Sequence, residues 1–413
     1  MPEKVAIVGF GVTPFAARHP DATYFELAFD ATKAALDDAE LTPRDIDAAV
    51  YGVYNDLFER QFMQDVLIHD YLGLYGKPGV RVTTGGATGG YAFREAYLTV
   101  ASGLHDIVLC LGTEKCADCF DYVVGKATPE VVKAIAYSAD MTYEFPSGMY
   151  AASSYALLAR AHMDKYGTSE EQAAKVSVKN HRNAKLNPIA QSPMDITVEE
   201  VMKSRMIAYP FKMLDCCLYT EGSAALVLAS EKKAMEITDT PIWVKGIGAA
   251  NDKAFTGFRT SNDKLGKYGD IADLRSHYAA SEAAYRMAGI TDPVHQLDIA
   301  ELHDAFSFTE LQAYEAMRFC SPGQGGKFID EEVPERSGAL PCTVSGGLIG
   351  CGHAVGATGI MQTGEVAMQL REEAGKKQVP ITRGNGLVHS IGGPGSCYCT
   401  VAVLGRDKGK EGR

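Results

Sequence analysis

The order strand, helix, turn and strand occurs twice along the chain, and this internal duplication constrains the fold more than any other feature. An apolar run at residues 5–11 begins the first copy, and a similar run at residues 242–248 begins the second. Amphipathic helices are predicted at residues 24–39 and 281–288, each followed by a turn and a further strand. Strands that follow helices favour βαβ units, so the pattern predicts an α/β protein with mixed or parallel sheets.

The duplication predicts two similar halves, an N-terminal half at residues 1–240 and a C-terminal half at residues 241–413. An insertion interrupts the first half between about residues 120 and 205, and helices are predicted within it at residues 151–166 and 169–186. No low-complexity linker separates the halves. We therefore expect them to pack face to face, with the insertion as a lid over one side.

Each half contains a glycine-rich elbow that opens a helix. The first elbow is VTTGGATGG at residues 82–90, and the second is GHAVGATG at residues 352–359. Backbone N–H groups at the start of a helix lack partners within the helix, and they stabilise negative charge. An elbow of this kind is therefore a suitable place for an oxygen atom that becomes negative during a reaction.

The composition argues against several classes of partner. The net charge is −12 and the isoelectric point is near 5.4, which disfavours nucleic acid and anionic membranes as main partners. A local basic patch for a phosphorylated ligand remains compatible with this charge. The sequence has neither a signal peptide nor an apolar run of about 18 residues, so we expect a protein of the reducing cytoplasm that does not span a membrane.

The chain has ten cysteines, and their spacing suggests neither a disulfide framework nor a metal site. Cys116 and Cys119 have the CxxC spacing of redox and zinc sites. No second CxxC or Cys/His pair completes a set of four ligands, so no metal is predicted.

Five motifs together resemble those of the sterol-carrier-protein-type and archaeal thiolases. In chain order they are KVSVKNHRNA at 175–184 with Asn187-Pro188, DCC at 215–217 with EGSAA at 221–225, HDAF at 303–306, GHAVGATG at 352–359 and IGGPG at 391–395. The resemblance covers nearly the whole chain. It implies the five-layered αβαβα thiolase fold, with the active cleft between the elbows of the two halves.

The first elbow departs from the family at its most important position. In thiolases this elbow carries the nucleophilic cysteine, whereas here the matching residue is Gly86, and no cysteine precedes Cys110. A glycine cannot form an acyl-enzyme. The glycine also has a simpler explanation, since a tight turn with positive φ would favour it. Gly85, Gly86 and Ala87 leave a broader cleft than a cysteine would, which suits a branched or ring-bearing substrate.

The resemblance implies roles for two histidines. His353 would act as a general base or thiol activator, and His303 would donate to an enolate or thioester oxygen. Each also has a structural alternative: His353 as a helix-terminal residue bonded to a nearby carbonyl, and His303 as a buried partner of Asp304. The N–H of Gly86 would help to stabilise the oxyanion. Further residues expected to bind substrate or CoA are Gly85, Gly392, Gly393, Asn180 and His181.

A cysteine elsewhere could in principle replace the missing nucleophile. Cys351, two residues before His353, is the candidate substitute thiol, and Cys397 near the final glycine loop is a second one. The alternative for Cys351 is a small buried residue of the core. Cys397 and Cys399 alternate with Tyr398 in a strand pattern, so both are expected in the core.

The predicted function is cleavage or formation of a C–C bond beside a CoA thioester. The leading hypothesis is thiolysis of a bulky 3-oxoacyl-CoA, in which CoA attacks the 3-keto group directly. One alternative is a retro-aldolase acting on a 3-hydroxyacyl-CoA, like the steroid side-chain aldolases, which share the glycine elbow but have tyrosines at the positions of His303 and His353. Another is a non-catalytic scaffold subunit.

The resemblance also implies partners. Coenzyme A would be a substrate, with no permanently bound cofactor. Thiolases dimerise through the first half, and the relatives nearest in pattern bind a small subunit with an OB-fold and a zinc ribbon. We therefore expect two copies of this chain with two copies of such a subunit.

Overall fold

The computed structural model describes residues 3–116, 134–259 and 271–407. Its strands are β1 (Val5–Val12), β2 (Ala48–Gly52), β3 (Gly79–Val82), β4 (Ile107–Glu114), β5 (Met206–Ala208), β6 (Phe211–Lys212), β7 (Gly222–Ser230), β8 (Ile242–Asn251), β9 (Ile299–Glu301), β10 (Asn385–Gly392) and β11 (Tyr398–Gly405). Its α-helices are α1 (Tyr24–Asp38), α2 (Gln64–Tyr71), α3 (Thr88–Ala101), α4 (Ala151–Tyr166), α5 (Glu170–Ala184), α6 (Val198–Lys203), α7 (Glu231–Ile237), α8 (Arg275–Ala288), α9 (Pro293–Gln296), α10 (Ser307–Ala316), α11 (Gly325–Asp330) and α12 (Val355–Arg371). The start of the predicted insertion, up to residue 133, and Cys119 lie outside these ranges.

The strand order is itself duplicated. The large sheet runs β3-β2-β4-β7-β1-β8-β11-β10-β9, and its two central strands, β1 and β8, pair only at Ala6–Trp243 and Ile7–Ile242. In the first half, β1/β7 and β7/β4 are antiparallel and β4/β2 is parallel. In the second half, β8/β11 and β11/β10 are antiparallel and β10/β9 is parallel. Each half therefore contains a mixed sheet, as the alternation of strands and helices predicts.

The helices form three layers around the two half-sheets. Helices α3 and α12 pack against each other and contact strands of both halves, so they form the central layer. Helix α1 covers the outer face of the first half-sheet, and α8 covers that of the second. Three separate apolar clusters fill the spaces between sheets and helices. This arrangement confirms the five-layered αβαβα fold.

The helices predicted within the insertion lie close to their expected positions. Helix α4 has the predicted bounds, and α5 begins after Ser169, whose side chain accepts a hydrogen bond from the Gln172 N–H in a capping box. In the second half, α8 begins six residues before the predicted residue 281. Its first turns bury Ser276 and His277, so the apolar periodicity does not reveal them. Among the described residues, no helix is long and apolar enough to cross a bilayer.

The central layer depends on contacts that leave no room for a side chain. A Cβ at Gly112 would lie 2.2 Å from the Gly356 carbonyl oxygen, and one at Gly359 would lie 2.4 Å from the Gly90 N–H nitrogen. Backbone atoms cannot move away as a flexible side chain can. Glycine is therefore required here by close packing, which brings the N-terminal ends of α3 and α12 together.

We predict that Gly112→Ala destabilises the protein by about 1–3 kcal/mol, because its methyl group must displace the backbone at Gly356. Chemical denaturation would measure the loss. Gly257→Ala is the matched control, since nothing lies within 4 Å of a Cβ at that position. Equal stability of the two variants would contradict the packing argument.

Candidate active site

The structure brings the two predicted histidines together between the halves. His303 follows β9, and His353 lies just before α12, after the π-helical turn Gly347–Cys351. The two ring centroids are 5.1 Å apart and the ring planes are nearly perpendicular, at 87°. Two imidazoles from motifs that are far apart in the sequence therefore meet at a single site.

Gly86 lies next to this pair. A Cβ at Gly86 would be 3.2 Å from Nε2 of His303 and 2.7 Å from the carbonyl oxygen of Ile391. The positive φ of the elbow, +63°, belongs to Gly85 and not to Gly86. The turn therefore does not explain the glycine at position 86. Lack of room explains this glycine, because any side chain at position 86 would press on the carbonyl oxygen of Ile391 and approach His303.

The final glycine loop packs directly on this elbow. A Cβ at Gly85 would lie 2.8 Å from the Gly393 nitrogen, and one at Gly392 would lie 2.3 Å from the Ala87 nitrogen. The backbone of the first elbow, at Gly85 and Gly86, thus packs closely against that of the final loop, at Gly392 and Gly393. This contact lies beside His303. Their predicted roles in binding substrate or stabilising an oxyanion remain predictions.

The hydrogen bonds of His353 determine which of its nitrogens holds the proton. Nδ1 lies 2.9 Å from the Thr358 hydroxyl oxygen, and that hydroxyl donates to the carbonyl oxygen of Ala354. Nδ1 must therefore donate to Thr358, which leaves the lone pair on Nε2. Burial lowers the pKa of His353 to about 4, so at neutral pH the ring is a neutral base. The alternative of a ring bonded to a backbone carbonyl is wrong, since the partner is a hydroxyl group.

His303 is almost fully buried, with 1% of its surface exposed. Burial lowers its pKa well below the usual value, and the neighbouring His353, His389 and His277 lower it further. Its Nδ1 has no hydrogen-bond partner within the described ranges. A neutral ring with its proton on Nε2 would leave only an acceptor unpaired at Nδ1 and would direct its donor towards Gly86.

Asp304 does not pair with His303. Its carboxylate accepts hydrogen bonds from the N–H groups of Leu348 and Ile349, at 2.6 and 3.2 Å, and from the amide of Asn180 at 2.7 Å. The alternative that makes His303 the partner of Asp304 is therefore wrong. Asp304 instead anchors the π-helical turn that leads to His353, which agrees with an orienting role.

Asn180 and His181 interact with the protein itself. Asn180 is fully buried and donates to Glu310 as well as to Asp304. Glu310 also binds Lys179 through an ion pair of 2.7 Å, with both side chains fully buried. Nδ1 of His181 lies 2.8 Å from the carbonyl oxygen of Ser192. These contacts tie both side chains to neighbouring parts of the protein, including Asp304, which anchors the turn before His353. They do not favour the predicted role of Asn180 and His181 in binding substrate or CoA.

Neither candidate thiol is placed to replace the nucleophile. Cys351 is fully buried and accepts a hydrogen bond from Asn187, at 3.5 Å, and burial raises the pKa of its thiol. Cys397 lies under Gly393, with 3% of its surface exposed, and burial raises the pKa of its thiol as well. A reactive cysteine needs an accessible thiolate, whereas both thiols are buried, and the neighbouring Arg259 does not offset the effect of burial on Cys397.

Three residues that the structure places near the site have no signal in the sequence motifs. His277 and His389 are fully buried behind His303. Tyr219, which is about half exposed, forms a bridge with the backbone of His353. The apolar neighbours of His389, Val388 and Ile391 among them, are the sequence signal that could have suggested a buried position.

We predict that a His353→Gln variant gains stability relative to the wild type as the pH falls. The unfolded histidine binds a proton near pH 6.5, whereas the folded one does so only near pH 4, so the wild type loses stability across this window. Because His353 is only partly buried, we expect a change of about 1–2 kcal/mol between pH 7 and pH 5. Urea unfolding of both proteins at each pH would measure it, and a constant difference would contradict the lowered pKa.

Comparisons with known proteins agree with this architecture. A model of the thiolase N-terminal domain matches residues 5–232, and a thiolase C-terminal domain-like model matches residues 257–406. The chain is 39% identical over 400 residues to an acetyl-CoA acetyltransferase of Methanothermobacter thermautotrophicus, covering 97% of this chain and 98% of that protein. It is 34% identical to sterol carrier protein 2 of Bos taurus, over 97% of this chain and 72% of the relative.

Solved structures are also similar. The Ltp2-ChsH2(DUF35) aldolase has a TM-score of 0.79 and 25% identity, with 98% of each chain covered. Human mitochondrial 3-ketoacyl-CoA thiolase in complex with CoA has a TM-score of 0.70 and 17% identity, again with 98% of each chain covered. The second similarity concerns the fold alone.

Proposed function

The chain belongs to the thiolase family, and from this premise we propose that it cleaves a 3-oxoacyl-CoA with a second CoA and forms no acyl-enzyme. The observation that supports this proposal best is Gly86, which has no side chain and lies beside a neutral histidine pair. The nucleophile of the covalent step is missing, whereas the groups for proton transfer and oxyanion stabilisation are present. An external nucleophile is therefore needed, and the CoA thiol is the one that a thiolase already uses.

The proton movements follow from the tautomer of His353. Its Nε2 lone pair takes the proton of the CoA thiol, and the thiolate attacks the 3-keto carbon of the substrate. The C2–C3 bond then breaks, which yields a new acyl-CoA and the enolate of the remaining acyl-CoA. The proton held by His353 is returned to C2, so the enzyme ends in its starting state.

The two oxyanions of this sequence need hydrogen-bond donors. Nε2 of His303 faces the elbow, and in its protonated tautomer it would donate to the enolate or thioester oxygen. The N–H of Gly86 would be a second donor. Burial keeps His303 neutral, and a neutral imidazole can still donate a hydrogen bond through its one N–H.

The elbow presents little side-chain volume to a substrate. Gly85, Gly86 and Ala87 present at most one methyl group between them. The relative from Methanothermobacter is named for the transfer of an acetyl group. We propose that this chain accepts a branched or ring-bearing acyl group over this elbow, beyond the Cβ position of Gly86, where the Ile391 carbonyl oxygen leaves no room for a side chain.

A retro-aldol cleavage of a 3-hydroxyacyl-CoA is the second candidate, favoured by the likeness to the Ltp2-ChsH2(DUF35) aldolase. It needs only a base for the 3-hydroxyl proton and donors for the enolate, and no second CoA. Thiolysis remains the first proposal because a neutral imidazole removes the proton of a thiol, whose pKa is near 8.5, more readily than that of an alcohol, which is far less acidic. A neutral histidine pair facing the elbow also disfavours a purely scaffolding role.

A partner subunit belongs to the proposal. The aldolase with the highest TM-score given above is a complex that includes a DUF35 protein. We propose that a small OB-fold and zinc-ribbon subunit binds a homodimer of this chain and completes the CoA site, as the motif resemblance implies. Assays should therefore compare the chain alone with the assembled complex.

Removing either imidazole should remove most of the activity. We expect His353→Ala and His303→Ala each to lower kcat by about 10²–10⁴-fold, the usual effect of losing an acid–base group. Circular dichroism and thermal melting would verify that both variants fold. Near-normal turnover of either variant would exclude that residue from the mechanism.

The kinetic pattern should distinguish the proposed reaction from ordinary thiolysis. Without an acyl-enzyme, both CoA compounds must be bound together, so initial rates should give intersecting rather than parallel lines, and quenched samples should show no covalent mass. Incubation with a 3-hydroxyacyl-CoA alone tests the retro-aldol reaction. An acyl group found on Cys351 or Cys397 would contradict the mechanism in which CoA attacks the substrate directly.

A further inference from the structure

Three buried side chains form a continuous hydrogen-bonded chain behind the candidate site. The backbone N–H of His303 points to Nδ1 of His389, at 3.5 Å. Nε2 of His389 lies 3.1 Å from Nδ1 of His277, and Nε2 of His277 reaches both oxygens of Ser396. The imidazoles of His277 and His389 are fully inaccessible to solvent.

The hydrogen bonds at the two ends of this chain determine which ring nitrogens carry the protons. The carbonyl oxygen of Ser396 can only accept, so Nε2 of His277 is protonated and its Nδ1 is an acceptor. Nε2 of His389 must then donate to His277, which leaves Nδ1 of His389 as the acceptor for the N–H of His303. Both rings therefore have the same neutral tautomer. Burial supports this, since it lowers the pKa of His277 to about 3 and that of His389 well below its usual value.

The chain joins the two backbone segments that border Gly86. On one side lies His303, whose Nδ1 has no partner in the described residues, so the direction of its ring depends on how its backbone is held. On the other side lies the loop that ends at Ser396, where Gly392 packs against the elbow and Ser396 has a positive φ of 65°. A non-glycine residue with such a φ needs support from its surroundings. His277 provides that support.

We propose that His389 and His277 are positioning residues, which hold the backbone of His303 and the Ser396 loop at a fixed separation across the elbow. The proposal rests on the proposed function only in that His303 takes part in catalysis. A displacement of about 1 Å at a reacting group can cost about a hundredfold in rate. The chain would therefore affect turnover without contacting the substrate.

A metal site is the competing explanation. His277, His389 and Cys399 offer ligand atoms that all lie within 4.8 Å of one another. The ring nitrogens already form a complementary set of donors and acceptors, and none of them is unpaired. No acidic side chain joins the cluster in the described ranges to balance the charge of a cation. The hydrogen-bonded chain explains the close contact of the rings without an ion.

Substitutions at His389 separate the two ends of the chain. The amide oxygen of an asparagine can occupy the position of Nδ1 and accept from His303, whereas the amide nitrogen of a glutamine can occupy that of Nε2 and donate only to His277. Either substitution breaks the link between His303 and Ser396, so we expect both variants to lower kcat by about tenfold to a hundredfold, with KM changed less than twofold. Cys399→Ala is the control, and it should leave kcat unchanged.

Two further measurements need no substrate. Neutron diffraction should show deuterons on Nε2 of both His277 and His389, and elemental analysis of the purified protein should find no stoichiometric metal. Stoichiometric zinc that is lost in Cys399→Ala, or a deuteron on Nδ1 of either ring, would overturn the proposal. A kcat within twofold of the wild type in either His389→Asn or His389→Gln, with the variant folded, would overturn the positioning role. Failure of thiolysis alone would leave the tautomer result intact, and kcat would then be measured on the retro-aldol substrate.

Discussion

The site exists because two helices meet without side chains between them. Where α3 crosses α12, the backbone at Gly90 comes so close to Gly359 that a single methyl group would not fit. This contact brings the N-terminal ends of both helices to the same place. Gly86 precedes one helix and His353 precedes the other, so residues from different halves share one cleft. A looser crossing would separate them, since each is fixed to the start of its own helix.

The features that follow from local patterns could be predicted from the sequence. The duplicated order of strands and helices, the bounds of α4 and the glycine elbows all depend on periodicity or turn chemistry within a short stretch of chain. The convergence of His303 and His353 could be predicted as well, although only through the resemblance of their motifs to a known family. The spacing of these two residues along the chain does not predict that their rings lie 5.1 Å apart.

The supports of the site could not be predicted, because they depend on contacts between residues far apart in the chain. Asp304 follows His303 directly in the chain, yet it anchors the turn before His353 by accepting from Leu348 and Ile349. The motif around Asn180 predicts a binding residue. Its buried amide instead donates to the carboxylates of Asp304 and Glu310, so it supports the protein beneath the histidines. The glycine at position 86 is a third case, since the steric limit comes from Ile391 in the other half.

The vacancy at Gly86 changes more than the nucleophile. A cysteine would hold one acyl group covalently while the first product leaves, so that each partner could be recognised in turn. Without it, the proposed reaction must bind both CoA compounds together, and their alignment depends on non-covalent positioning alone. The rigidity of the surrounding backbone then matters more than in a covalent mechanism. The buried hydrogen bonds from His303 to Ser396, and those from Asp304 to the turn before His353, supply that rigidity on both sides of the cleft.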